Sequence, residues 1–87
     1  MKIKDGFVVR AVAGQNMVVA LGDAAKIFNG IIKLNESARL IWDMLEVGAE
    51  RGEIIDKLEE NYDVPREILA RDCDAFLQSL RENNVLE

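Results

Sequence analysis

The chain lacks histidine altogether and contains only one cysteine, Cys73. Without histidine it loses the commonest general base and the commonest metal ligand. A lone cysteine excludes an internal disulfide and a multi-cysteine zinc site. The glycines are too scattered for a phosphate-binding loop. These absences argue against catalysis by the isolated chain, and we expect neither a cofactor nor a bound metal.

Positive charge is also scarce, since 11 Lys and Arg stand against 16 Asp and Glu, a formal net charge of −5. Phosphate backbones are bound chiefly through Lys and Arg, so this balance disfavours nucleic acid as the main ligand. No apolar run approaches the roughly 20 residues that span a bilayer, and the N-terminus has no apolar signal core. We therefore expect a single cytoplasmic domain, residues 1–87, that binds no membrane.

The first third of the sequence has the composition of β-structure. Residues 7–13 are rich in β-branched side chains and end at a Gly-Gln-Asn turn cluster, after which residues 17–21 complete a predicted hairpin. After a short connection, residues 27–34 predict a third strand. An Asn-Gly pair inside this segment can form a tight turn, but residues 31–34 predict a strand in either case.

Three helices are predicted after these strands, because the spacing of apolar residues changes from every two residues to about every 3.6 residues. Asn35 is a good N-cap for a helix over residues 36–46. A second helix is predicted at about 50–61, and a third runs from Pro65 to about residue 83. The asparagine that follows suits the left-handed conformation that ends a helix, and the apolar dipeptide after it is expected to fold back as a clip.

The third predicted helix carries two residues of functional interest. Its apolar stripe follows helical spacing and comprises Leu69, Cys73, Phe76, Leu77 and Leu80. The central position of Cys73 favours a buried structural thiol over a nucleophile, which needs a base or cationic neighbours. Asp72 borders the stripe, where it can bond to backbone donors or to Arg10, or face a groove beside the sheet.

A three-stranded sheet leaves two open edges, whose unpaired N–H and C=O groups can accept an extended peptide. The third strand favours this interpretation because residues 31–34 offer apolar contacts, although such an edge can also be merely tolerated, with Lys33 as a deterrent to aggregation. Open edges also permit strand pairing between two copies, and hence a homodimer. Helices after strands are typical of winged-helix DNA readers too, but the arginines of the third helix alternate with acids.

Four motifs occur in order along the chain, namely Leu34–Trp42, Glu53-Ile54, Tyr62-Asp63-Val64, and Asp72–Leu77 with Leu80. Their order and spacing resemble the PqqD family over roughly residues 7–86. The resemblance implies an α+β fold in which a three-stranded antiparallel sheet is followed by three helices, akin to a winged helix. It also implies a non-catalytic domain that recognises the leader segment of a ribosomally made precursor peptide and presents it to a modifying enzyme, often a radical SAM protein.

In that family the leader is added to the third strand, in a groove shared with the third helix. Carried onto this sequence, the resemblance implies peptide-binding roles for Ile31, Ile32, Lys33, Leu34, Arg66, Leu69, Asp72, Cys73 and Phe76. The chain departs from the pattern in a longer segment before residue 34, and at Glu50 and Asn84, where Thr and Gly are common. The pathway can be pyrroloquinoline quinone synthesis, a lasso peptide or another system. A DNA-binding regulator and an enzyme-interaction subunit without leader binding are the alternatives.

Overall fold

The computed structural model describes residues 1–28 and 30–87, which form three strands and four helices. In chain order these are β1 (Phe7–Val12), β2 (Gln15–Ala20), α1 (Ala24–Ile27), β3 (Ile32–Leu34), α2 (Glu36–Val47), α3 (Arg51–Asn61) and α4 (Arg66–Glu82). The strands form one antiparallel sheet in the order β1-β2-β3, so β1 and β3 are its two edges. The predicted α+β architecture is confirmed, with the one-turn helix α1 as an addition.

A two-residue turn at Ala13 and Gly14 joins β1 to β2. Both residues have positive φ, 52° and 78°, as a type I′ hairpin turn requires. The turn sets the register of the hairpin by pairing Val12 with Gln15. The predicted hairpin is confirmed, but its turn is shorter than predicted because Gln15 and Asn16 belong to β2.

The third strand is shorter than the sequence predicts. Residues 27–34 are predicted as strand, yet β3 has only three residues and Ile27 ends α1. Periodicity cannot separate a short strand from a short helix, and the two alanines that begin α1 favour the helix. The tight turn considered at Asn29-Gly30 depends on Asn29, which lies outside the described residues.

The three long helices begin and end close to the predicted positions. Asn35 caps α2 as predicted, since its side-chain Oδ1 accepts a hydrogen bond from the backbone N–H of Ala38 at 2.9 Å. Before α3, the backbone N–H of Glu50 donates to the carboxylate of Glu53 at 2.9 Å, as in a capping box. Pro65 immediately precedes α4 and does not occupy its first helical position.

One apolar core lies between the inner face of the sheet and the helices. Its largest fully buried side chains are Trp42, Leu45, Ile54, Ile55, Leu58, Leu77, Leu80, Val18, Val85 and Cys73. Trp42 therefore lies on the inner face of α2, as its spacing predicts, and its indole N–H donates to Glu46. No helix in the described part of the chain is long and apolar enough to cross a membrane.

The two chain ends pair with each other. Asn84 has a φ of 60°, as predicted for the residue that ends the last helix, and it turns the chain so that Val85 and Leu86 are buried. Leu86 then forms an antiparallel bridge with Ile3, flanked by a hydrogen bond of 2.8 Å from the N–H of Lys4 to the carbonyl of Val85. The predicted apolar clip is confirmed, since Val85 and Leu86 fold back and are buried in the core.

Candidate functional site

The direction of the backbone groups on β3 follows from the hairpin turn. In a two-residue hairpin the residues that flank the turn form a hydrogen-bonded pair, and hydrogen-bonded and non-hydrogen-bonded pairs then alternate along the strands. Met17 therefore directs its N–H and C=O towards β1, while Asn16 and Val18 direct theirs towards β3. The alternation predicts that Gly6 and Leu21 form a hydrogen-bonded pair, and the N–H of Leu21 does donate to the carbonyl of Gly6 at 2.7 Å.

The same alternation identifies the backbone groups at the open edge of β3. Ile32 and Leu34 pair with Val18 and Asn16, so their N–H and C=O groups point into the sheet. Lys33 lies between them and points its N–H and C=O away from the sheet. Within Ile32–Leu34, Lys33 is thus the residue that presents a donor and an acceptor to a further strand.

A groove of about 400 Å³ lies between this edge and α4. It is lined by Lys33, Asn35, Ser37, Ala38, Ile41, Leu58, Leu69, Asp72, Cys73 and Phe76. Its floor is apolar, since Leu69 and Cys73 of α4 are buried there. The exposed Asp72 contributes a negative charge, whereas the side chain of Lys33 lies on the outer face of the sheet. The groove thus joins a hydrogen-bonding edge to an apolar floor, a combination that can hold an extended peptide.

Five of the residues that the sequence analysis assigns to a peptide site line this groove, namely Lys33, Leu69, Asp72, Cys73 and Phe76. Leu34 is buried in the core and Ile32 is half-buried, so their side chains serve the packing of the sheet. Ile31 precedes β3 and is 64% exposed. Arg66 is one turn before Leu69 but is not part of the lining; its guanidinium bonds two carboxylates of α3.

The α2 side of the groove was not predicted from the sequence. Ser37, Ala38 and Ile41 form this side, and Leu58 of α3 lies behind them. Ala38 and Ile41 follow the apolar spacing of α2, which only predicted core positions. The one sequence feature that could have indicated this side of the groove is the small side chain of Ala38. A small residue on an inner helix face leaves room beside it.

Cys73 contributes to the floor as a structural thiol. Cys73 is fully buried and has no accessible surface. Burial raises the pKa of the Cys73 thiol, Asp74 raises it further, and Arg51 opposes the increase. Because the thiolate is the reactive form, a thiol that stays neutral is a poor nucleophile. Among residues 1–28 and 30–87, no three His, Cys, Asp or Glu residues cluster as a metal site requires.

An ion pair ties α4 to α3 next to the groove. The Nε and Nη2 atoms of Arg51 donate to the two carboxylate oxygens of Asp74 at 2.6 and 2.9 Å. This bond holds the pKa of the Asp74 carboxyl below its ordinary value. Since both side chains are about half exposed, the pair adds little stability, but its forked geometry orients α3 against the helix that walls the groove.

Comparison with known proteins shows where this architecture recurs. The family model described as Coenzyme PQQ synthesis protein D (PqqD) matches residues 9–86. A structure of TbiB1 in complex with the TbiA(β) leader peptide is 29% identical, with a TM-score of 0.79 over 100% of this chain and 95% of that chain. Lasso peptide synthetase B1 complexed with the leader peptide is 24% identical, with a TM-score of 0.75 over 97% of this chain and 93% of that chain, and shows the same fold. No curated protein matches the chain.

Proposed function

The chain belongs to the PqqD family, and we propose that it is a non-catalytic adaptor that binds the leader segment of a ribosomally synthesised precursor peptide. The leader adds a strand to the open edge of β3, and the adaptor presents the rest of the peptide to a modifying enzyme such as a radical SAM protein. The observation that carries this proposal is the apolar groove beside the outward-facing backbone of Lys33. The leader peptide in the TbiB1 structure supports the ligand class.

The backbone of β3 supplies the anchoring contacts in this proposal. The N–H and C=O of Lys33 bond to one residue of the added strand. The edge ends at Asn35, whose carbonyl already accepts the backbone N–H of Arg39 at 2.9 Å. Ile32 and Leu34 support the strand from the core side.

Side-chain selectivity then comes from the groove. Alternate residues of an added strand face the same side, so every second leader residue meets the floor. That floor favours apolar residues, because Leu69 and Cys73 are buried and Phe76 is half-buried beside them. The exposed carboxylate of Asp72 favours a basic flanking residue. Arg66 stabilises the mouth of the groove by holding the start of α4 against α3.

The expected affinity is set by the floor more than by the edge. A typical hydrogen bond contributes a net of about 0.5–1.5 kcal/mol, so the two bonds of Lys33 contribute about 1–3 kcal/mol. A micromolar complex needs about 8 kcal/mol. Most of the affinity must therefore come from side chains that the groove buries.

Two probes test the proposal. The first is the TbiA(β) leader peptide, and the second is a displayed library of random peptides of about 15 residues, which when extended exceed the 38 Å length of the molecule. Amide NMR spectra with each probe are expected to shift residues 31–34 and the Leu69–Phe76 segment of α4. Isothermal titration then compares the wild type with Lys33→Pro, which removes one outward N–H without breaking a bond to β2.

The matched control is Lys33→Ala, which removes the charge but keeps the N–H. We expect Lys33→Pro to weaken binding about tenfold and Lys33→Ala to weaken it less than threefold. If neither the leader nor any selected peptide shifts this region, or if Lys33→Pro binds all of them as tightly as the wild type does, the proposed function is wrong. Thermal melts of both variants establish that the sheet is intact.

A further inference from the structure

A second and larger groove, of about 630 Å³, lies between α2 and α3 and has no role in the β3 site. It is lined by Glu36, Arg39, Leu40, Asp43, Met44, Val47, Gly48, Ala49, Glu53, Lys57, Asn61 and Tyr62. Its floor is mainly apolar, from Leu40, Met44, Ala49 and the ring of Tyr62. Val47 at its far end is 85% exposed, although it is a large apolar residue.

A further concavity, of about 530 Å³, lies between the two grooves, at the start of α2 and the tip of the hairpin. It shares Lys33 and Asn35 with the β3 groove. It shares Glu36 and Arg39 with the α2–α3 groove. Neighbouring concavities that share lining residues therefore follow one another from the open edge of β3, around the N-terminus of α2, to Met44.

We propose that the α2–α3 groove binds a second segment of the same peptide, one that carries an apolar side chain flanked by Lys or Arg. This inference rests on the proposed function and adds a second binding subsite to it. From Lys33 to Asn35 and along α2 to Met44 the distance is about 20 Å, which an extended chain covers in about six residues. The apolar residue of the ligand is therefore expected about six positions from the residue that pairs with Lys33.

The size of the groove favours a peptide segment over a folded protein. Stable protein interfaces bury about 800 Å² on each partner, which requires a broad surface. A groove of 630 Å³ has the size of a site for a few side chains. The short β3 edge offers few backbone bonds, so contacts outside it are needed for tight binding.

The charges around the groove favour a basic segment. Three acids, Glu36, Asp43 and Glu53, line the groove against two bases, Arg39 and Lys57. The two cations that line the groove are already paired, because Arg39 bonds Asp43 at 2.8 Å and Lys57 lies 3.2 Å from Glu60. The remaining field at the rim is negative, so it attracts Lys or Arg on the ligand.

The test uses the TbiA(β) leader peptide and the peptides selected from the display library. Each peptide is compared with a truncated form that keeps only the segment bound at β3. That segment is identified as the one whose binding is weakened by Lys33→Pro. Titrations use the wild type and Val47→Lys, which places a cation in the groove at a helix C-terminus, where positive charge is tolerated. The control is Leu21→Lys, an equally drastic change at a 47% exposed apolar residue at the opposite end of β2 from the hairpin tip.

We expect Val47→Lys to weaken the full-length peptides about tenfold and to leave the truncated peptides unchanged, whereas Leu21→Lys changes neither. Amide shifts at Met44–Ala49 should appear only with the full-length peptides. Equal binding of Val47→Lys and wild type to every full-length peptide overturns the inference but leaves the β3 site standing, since Lys33→Pro tests that site separately. Peptides that shift Met44–Ala49 and ignore Lys33→Pro also overturn it, because the groove then has an independent ligand.

Discussion

The two open edges of the sheet differ in what lies beside them. β1 has six residues and β3 only three. By the alternation of the hairpin, β1 turns the backbones of Phe7, Val9 and Ala11 outward, whereas β3 turns out only Lys33. By backbone groups alone, β1 is the better acceptor of a further strand. Yet β3 borders a groove with a buried floor of Leu69 and Cys73, and the last three residues of β1 are exposed.

This difference indicates that an edge becomes a selective site through its flanking helix. Hydrogen bonds to an edge are the same for every peptide sequence, while a groove distinguishes one side chain from another. Both edge strands also carry a cation on the outer face of the sheet, because Arg10 and Lys33 flank Met17 across the strands. Such charges disfavour unselective pairing of edges.

The largest expected effect comes from closing the groove without touching the edge. Asp72→Trp places a bulky ring at an exposed lining position, so it should cover the floor and weaken peptide binding about a hundredfold. Gln78→Trp, at an exposed position of α4 outside the lining, is the matched control and should bind as the wild type does. Titration with one selected peptide measures both. Unchanged binding by Asp72→Trp would show that the edge alone holds the ligand.

A change in the floor itself should reduce stability. Cys73→Ser keeps the size of the side chain but buries a hydroxyl in an apolar site, so the free energy of unfolding should fall by about 1–3 kcal/mol. Ala11→Ser, on the exposed β1 edge, should change it by less than about 0.5 kcal/mol. Urea unfolding of the two variants gives both values. Equal losses would mean that the floor is no better packed than the open edge.

The edges can be compared directly with one substitution. Ala11→Pro removes an outward N–H from β1, as Lys33→Pro does from β3. The β1 variant should retain wild-type peptide affinity, and the β3 variant should lose about tenfold. Isothermal titration at equal protein concentration makes the comparison. A loss of affinity in Ala11→Pro with an unchanged melting temperature would move the site to β1.

The smallest expected effect concerns the ion pair that orients α3 on α4. The pKa of Asp74 is lowered in the folded protein, so its stabilising contribution is complete above the ordinary carboxyl pKa and is lost as the pH falls through the folded value. Asp74→Asn should therefore melt slightly below the wild type at neutral pH, and the gap should close in acid. Asp63→Asn, at an exposed loop position, serves as control. A gap that persists in acid would assign the effect to packing.

The sequence was most informative where local rules act alone. The cap at Asn35, the left-handed Asn84 and the apolar stripe of α4 follow from short-range geometry, and the structure confirms them. The third strand was less predictable because residues 24–34 contain short apolar runs. Such runs fit both the two-residue period of a strand and the 3.6-residue period of a helix. The α2 side of the groove was missed because a cavity depends on which helix faces meet, and Ala38 alone does not reveal its neighbours.

The pairing of the chain ends determines how the protein carries mechanical load. The bridge between Ile3 and Leu86 lies near the C-terminal part of α2, since the N–H of Ile3 donates to the carbonyl of Leu45 at 3.1 Å. The β3 groove reaches along α2 as far as Ile41, about 6 Å from Leu45 along the helix. Tension applied across the two ends is thus taken up first by this bridge.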